Sequence, residues 1–298
     1  MLRIGIDLGG TKTEAIAMAP DGRILARNRQ QTERSYADSL NQLHAMVGAL
    51  ESELGERAHI GIGHPGSISP ATGLMRNANS TWLNDRAFGR DIEAKLQRPV
   101  RLANDADCFA LSEARDGAGK DGRIVFGVIL GTGVGGGLVI DGQLLSGAQG
   151  IAGEWGHNPM PWMSPAEHPG PRCWCGKRGC IERFLSGPGF ADYFEASYGD
   201  PLSAQEIATL DSDAGRRARN VYAGWLARAL ASVINLIDAD IIVLGGGVSN
   251  MPGLAAAAEE KLGEYVFSDH IATRIHTHLH GDASGVRGAA WLWRPEEA

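Results

Sequence analysis

The sequence predicts an α/β protein of two similar lobes facing each other across a cleft. The main evidence is a pattern that occurs twice. A strand-like run at 2–8 enters Gly9-Gly10-Thr11-Lys12, a second run covers 13–19, Asp21-Gly22 marks a turn, and a third run covers 23–29. The copy has a run at 123–130, the glycine turn Gly131-Thr132-Gly133-Val134-Gly135-Gly136, and a run at 137–140. Asp141-Gly142 then turns into Gln143-Leu144-Leu145. A repeat of this kind reads as an internal duplication. The length of 298 residues suits two domains. The 41 glycines gather in short loops, which predicts backbone brought close to a ligand.

The remaining elements fit this frame. Residues 36–54 are amphipathic with helical period, and 60–63 read as a short buried strand broken by Pro65-Gly66. A strand at 99–103 ends at Asn104-Asp105, and 106–115 turn helical. A Gly/Asp/Lys-rich stretch at 116–122 marks the lobe boundary. Residues 214–237 carry Tyr222, Leu226, Leu230, Val233 and Ile237 at helical spacing. They lead into a buried strand at 241–244 that ends in Gly245-Gly246-Gly247, and 288–293 form a last short helix. The small lobe is assigned to 1–115 with 290–298, and the large lobe to 116–289.

Hydrophobic content of 43% and charged content of 21% describe an ordinary soluble chain. A net charge of −7 argues against a nucleic-acid surface. No run approaches the length of a membrane span, and the chain opens directly on a strand with no visible secretory leader. Three of the four cysteines lie within eight residues, which suits a reducing cytoplasm better than a disulfide scaffold.

Three loops carry the chemistry. Gly9-Gly10-Thr11-Lys12 and Gly131-Thr132-Gly133 offer backbone N–H groups and hydroxyls to an anion, and with Gly245-Gly246-Gly247 they resemble a clamp on a polyphosphate. No Walker A sequence is present, and Gly131, Gly133 and Gly136 match G-x-G-x-x-G without a helix following. Asp7, at a strand end beside the first turn, is placed to hold the water shell of Mg²⁺; a capping aspartate is the plainer alternative. Asn104-Asp105 reads either as a helix N-cap or as an amide and carboxylate gripping hydroxyls, with Asp105 as general base. Cys173, Cys175 and Cys180, with His157 sixteen residues before Cys173, form a Cys3His zinc complement. A disulfide or free thiols are the alternatives, although Cys173 and Cys175 are too close to bridge comfortably. His276, His278 and His280 alternate, which suggests a second metal face or, more plainly, a solvated strand edge.

Together these residues resemble the ROK family of bacterial sugar kinases. The resemblance runs nearly the full length of the chain. It rests on Ile4-Gly5-Ile6-Asp7-Leu8-Gly9-Gly10-Thr11-Lys12, Asn104-Asp105-Ala106, and Gly131-Thr132-Gly133-Val134-Gly135-Gly136-Gly137. Gly153-Glu154-Trp155-Gly156-His157 and Cys173-Trp174-Cys175-Gly176 through Gly179-Cys180-Ile181-Glu182 complete it. The resemblance implies a ribonuclease H-like (actin-like ATPase) fold with a central cleft and a structural zinc loop. It also implies ATP-dependent phosphorylation of a hexose at the 6-hydroxyl, with Asp105 as base. Gly66, Asn79, Asn104, Asp105, Glu154, His157 and Glu182 would bind sugar. Asp7, Gly9, Gly10, Thr11, Lys12, Gly131, Thr132, Gly133, Gly135 and Gly246 would hold ATP, with Mg²⁺ at Asp7. The implied state is a homodimer or higher homo-oligomer.

Asn77-Ala78-Asn79-Ser80-Thr81-Trp82-Leu83-Asn84 and His157-Asn158-Pro159-Met160-Pro161-Trp162 resemble the fructokinase/mannokinase branch, so fructose, then mannose, is the first expectation. N-acetylglucosamine or glucose is the alternative. A non-catalytic sugar sensor or repressor is a third reading, but no helix-turn-helix precedes the first strand. Cys108 reads as a small core residue, and Trp82 and Trp155 as either sugar platforms or core.

Overall fold

The computed structural model describes residues 2–294; the part of the small-lobe assignment that covers 295–298 lies outside them. The first half runs β1 (Arg3–Leu8), β2 (Lys12–Met18), β3 (Ile24–Gln31), α1 (Tyr36–Leu54) and β4 (His59–His64). A hairpin of β5 (Ser67–Ile68) and β6 (Met75–Arg76) follows, then α2 (Phe88–Leu96), β7 (Val100–Asn104) and α3 (Asp105–Asp116). The second half runs β8 (Ile124–Leu130), β9 (Val134–Ile140), β10 (Gln143–Leu144), α4 (Glu182–Leu185), α5 (Gly187–Tyr198), α6 (Ala204–Thr209) and α7 (Asp213–Ile237). It ends with β11 (Ile241–Gly245), α8 (Leu254–Lys261), β12 (Arg274–Thr277) and α9 (Ser284–Trp291).

The duplication is real at the level of topology. The two five-stranded sheets have the orders β3-β2-β1-β4-β7 and β10-β9-β8-β11-β12. In each, an antiparallel meander supplies three strands and two parallel strands complete the sheet. Asp141 and Gly142 both have positive φ, 50° and 69°, the geometry a two-residue hairpin needs. α1 is capped by Ser35 at its start and by Gly55, in the left-handed conformation, at its end. The α7 stripe is as its spacing predicts: Tyr222, Leu226, Leu230 and Val233 are buried.

The two lobes are joined by a helix exchange that periodicity does not reveal. α3 follows the first sheet yet packs on β8 and β9 of the second, and α9 follows the second sheet yet packs on β1 and β4 of the first. The two helices also pack on each other. Glycine makes the close approach possible: a Cβ on Gly61 would collide with Ala289 O, and one on Gly288 with Cys108 O. On the other sheet, Ala106 and Ala110 of α3 seat on Gly137, where an added Cβ would come within 2.8 Å of the Ala110 side chain.

That seat corrects two sequence expectations. The glycine turn is three residues long, at 131–133, and β9 already starts at Val134. Gly135, Gly136 and Gly137 are paired strand residues opposite Ile129, Val128 and Gly127. Gly135 and Gly137 therefore serve contact with α3, and Gly136 faces Phe126 and Trp155 on the other side of the sheet. The last helix starts at Ser284, four residues before 288, because the Ser284 hydroxyl anchors to Glu113 on α3 at 2.7 Å.

Candidate active site and metal centre

The cleft floor is built where β7 gives way to α3. Asn104 is the N-cap: its Oδ1 accepts from Ala106 N–H at 2.8 Å, while its Nδ2 donates to Gly66 O at 2.8 Å. Asp107, three residues into the helix, accepts the Asn104 backbone N–H, which gives a reciprocal capping arrangement. The capping role of Asn104 is thus realised, and one amide N–H remains for a ligand. Asp105 is left exposed on the floor with one oxygen bound by Ala106 N–H at 2.8 Å.

Four carboxylates meet at this floor. Asp7, one residue before the end of β1, lies beside the first residues of α9, where a Cβ on Gly285 would lie 3.1 Å from its Oδ2. Burial, then Asp105 and Glu14, raise the Asp7 pKa to about 7 against the pull of Arg29. Burial, then Asp105 and Glu154, raise Asp107 to about 7 as well. Asp105 is also raised, first by the surrounding protein mass and then by Glu154, against the Ala106 N–H. Negative charge gathered in this way raises the cost of ionising each further carboxyl group. Asp107 was not singled out from the sequence, although the Asn-x-x-Asp spacing of a capping box was there to be read.

The two glycine–threonine turns sit at equivalent strand ends. In the first, Gly9 N–H donates to Lys12 O at 3.1 Å and Thr32 hydroxyl to Gly9 O at 2.7 Å; Gly10, Thr11 and Lys12 are exposed. In the second, Gly131 N–H donates to Gly133 O at 3.0 Å, which leaves Thr132 exposed. A cavity of about 400 Å³ opens beside the second turn, lined by Gly131, Thr132, Pro188, Gln205 and Gly247 among others. Gly246 has φ of +82° and no room for a Cβ against Leu130 O, so only glycine fits there. Gly135 lies inside β9 with its carbonyl accepting from the Trp155 indole at 3.0 Å.

The opposite wall is the loop that leaves β10 and reaches Glu154, which is exposed, and a short helical turn, Trp155–His157. Arg76 on β6 reaches this loop and donates to Gln149 O at 2.8 Å. Asn79 is exposed three residues beyond Arg76. Gly66 has φ of +71° and is packed against the backbone of Arg76 and Ala78. Trp155 is buried edge-to-face on Phe126, and Trp82 donates to Ser39 Oγ at 3.2 Å, so both rings are core. Cys108 is fully buried as well.

The ligand atoms of His157, Cys173, Cys175 and Cys180 all lie within 4.8 Å of one another. His157 Nδ1 is 3.7 Å from Cys173 Sγ, and Cys175 Sγ is 3.6 Å from Cys180 Sγ, too long for a disulfide. Those spacings fit a tetrahedral ion with metal–sulfur bonds of about 2.3 Å. Glu182 is 8% exposed and both its oxygens are used, one by Val134 N–H at 3.2 Å and one by the Trp174 indole at 2.7 Å. It is thus a buried bridge before it is a sugar contact. The three histidines do not converge: His276 pairs with Ala118 O, His278 with Asn250 and His280 with Asp116. No second cluster of metal-ligating side chains is found among the described residues.

The ROK family profile matches residues 3–296. The chain belongs to the ROK family. An N-acetyl-D-glucosamine kinase of Escherichia coli O9:H4 (strain HS) is 39% identical over 297 residues, covering 97% of this chain and 98% of that one. A ROK hexokinase from Thermus thermophilus superposes with a TM-score of 0.86 at 30% identity, covering 97% of each chain. A ROK glucokinase from Streptomyces griseus, solved with glucose and AMPPNP, superposes at 0.77 and 26% identity over 98% of this chain and 99% of that one. The actin-like ATPase architecture expected of a ROK chain is thus the observed one. No helix among the described residues is long and apolar enough to cross a membrane.

Proposed function

We propose that this ROK protein transfers the γ-phosphoryl group of ATP to the 6-hydroxyl of a hexose, with N-acetylglucosamine as its preferred substrate. The carrying observation is Asp105: an exposed carboxylate with a raised pKa, held by Ala106 N–H at the start of α3 and close enough to Asp7 and Glu154 for their charges to interact. The choice of sugar is supported by the 39% identical kinase and moves fructose and mannose behind it.

In this reading Asp105 takes the proton from the sugar hydroxyl as that oxygen attacks the γ-phosphorus. The P–O bond to ADP breaks, and ADP carries away its electron pair. The turn at 9–12, the turn at 131–133 and Gly246 hold the phosphates by backbone N–H groups, and the cavity beside Thr132 receives the nucleoside. Asn79, Asn104, Glu154 and His157 hydrogen-bond the sugar, with Gly66 on the pocket wall and Glu182 behind it. Asp7 would hold Mg²⁺, which when bound would neutralise charge on the phosphates. Zinc on His157, Cys173, Cys175 and Cys180 is structural, since four protein ligands leave no open position. The lobes are proposed to divide at 1–115 with 290–298 against 116–289.

Asp105→Asn tests the assignment. Turnover is expected to fall by at least about 10²–10⁴-fold while sugar still binds in calorimetry. A variant with near-normal kcat would refute Asp105 as base.

A further inference from the structure

One short segment holds the turn at 131–133 by both ends. At the entry, Gly187 N–H donates to Gly131 O at 2.8 Å. At the exit, Val134 N–H donates to Glu182 Oε2 at 3.2 Å, and Gly133 is close enough that a Cβ there would lie 2.9 Å from the same oxygen. Glu182 and Gly187 follow directly on Cys180, a member of the metal cluster.

The other Glu182 oxygen is fixed from within the metal loop. Trp174, between Cys173 and Cys175, donates its indole N–H to Glu182 Oε1 at 2.7 Å, and Cys173 Sγ lies 3.8 Å from that oxygen. The Trp174 ring stands edge-to-face on His157 with centroids 4.9 Å apart. Trp174 is 70% exposed, so core packing does not account for its position. Its polar contact to a buried carboxylate does. A tryptophan has one donor and no acceptor, and here that donor satisfies one oxygen of a carboxylate that water barely reaches.

We propose that Trp174 is a positioning residue that, through Glu182, ties the shape of the turn at 131–133 to the metal loop, so that metal occupancy is felt at the nucleotide as well as at the sugar. The inference rests on the reading of that turn as a phosphate seat. Once Cys173 and Cys175 are no longer drawn together, the indole N–H leaves Glu182. With one of its two oxygens released the carboxylate is free to rotate, which loosens its hold on Val134 N–H. The turn loses its exit anchor while Gly187 still holds its entry.

The test is the nucleotide affinity of the full-length protein, read by calorimetry with Mg-AMPPNP in the absence of sugar, so that no turnover enters the measurement. Trp174→Phe keeps the ring against His157 and removes only the donor. It is expected to retain one zinc per chain by elemental analysis and to bind the nucleotide about tenfold more weakly, the scale of one lost hydrogen bond to a charged group. Wild-type protein stripped of metal by a chelator is expected to weaken in the same direction and to recover when zinc is returned. A zinc-loaded Trp174→Phe with nucleotide affinity within about twofold of wild type would overturn the coupling. So would stripped wild type with unchanged affinity, which decides the matter even if the variant does not fold. Failure of zinc-loaded wild type to bind any nucleotide would bring down the kinase reading too, whereas the first two outcomes leave it standing.

Discussion

Arg76 Nη2 donates to Gln149 O at 2.8 Å, and this one bond joins the two loops that form the proposed sugar wall. Arg76 ends the β5–β6 hairpin just before Asn77, Ala78 and Asn79; Gln149 lies in the loop that ends at Glu154. A second Arg76 bond, from Nε to Ser67 Oγ at 3.1 Å, sets the guanidinium in place.

Arg76→Ala is therefore expected to raise the KM for sugar by about 2–10-fold, the worth of one hydrogen bond at a solvent-exposed position, with the KM for ATP unchanged. Arg76→Lys should restore part of the loss, because the acceptor is a single carbonyl. Steady-state kinetics with each substrate varied in turn checks it; equal changes in both KM values would point to a general loss of structure.

The acidic floor predicts the pH dependence of stability in the absence of ligands. Asp7 and Asp107 have folded pKa values raised to about 7 from an ordinary 3.8. Between those values the folded protein keeps protons that the unfolded chain has lost, so stability falls as pH rises through 7. Asp107→Asn keeps the shape and removes one buried charge. With an allowance for solvent in the cleft, it should stabilise the unliganded protein at pH 8 by on the order of 1–2 kcal/mol and do little at pH 4. Urea denaturation at both pH values measures this. An equal gain at both would assign the effect to something other than charge.

The helix exchange makes a different demand. A Cβ on Gly288 meets Cys108 O, and α3 and α9 have no space to part without disturbing both sheets. Gly288→Ala is expected to cost at least about 1–3 kcal/mol, the range for overpacking a close-packed site. By contrast, Gly48, which has nothing within 4 Å of an added Cβ, should accept alanine without loss. Comparing the two denaturation midpoints isolates the packing effect from the loss of glycine itself.

Much of this was legible in the sequence because it rests on local rules. Strand, turn and strand repeated with the same punctuation, helix α1 carried its caps, and the Cys3His spacing pointed to four side chains that the fold brings together. The junction at Asn104 and Asp105 showed where a strand meets a helix. What was hidden depends on partners far apart in the chain. Gly135 and Gly136 looked like part of a ligand turn because nothing nearby in sequence reveals that Gly135 will face Ala106 of α3 while Gly136 faces Phe126 and Trp155 on the other side of the strand. Arg76 and Gln149 are 73 residues apart, and no pattern in either loop points to the other. Glu182 read as a sugar contact, and only the fold shows that Trp174 and Val134 already hold its oxygens.

The central claim is that the Asp105 cleft phosphorylates a hexose and prefers N-acetylglucosamine. It is tested most directly by kcat/KM for N-acetylglucosamine, glucose, mannose, fructose and N-acetylmannosamine under identical ATP and Mg²⁺, read as ADP release. The account predicts release with hexoses in general and the highest kcat/KM for N-acetylglucosamine. A higher value for fructose would return the enzyme to the branch its sequence motifs first suggested, and no ADP with any sugar would contradict the kinase reading itself.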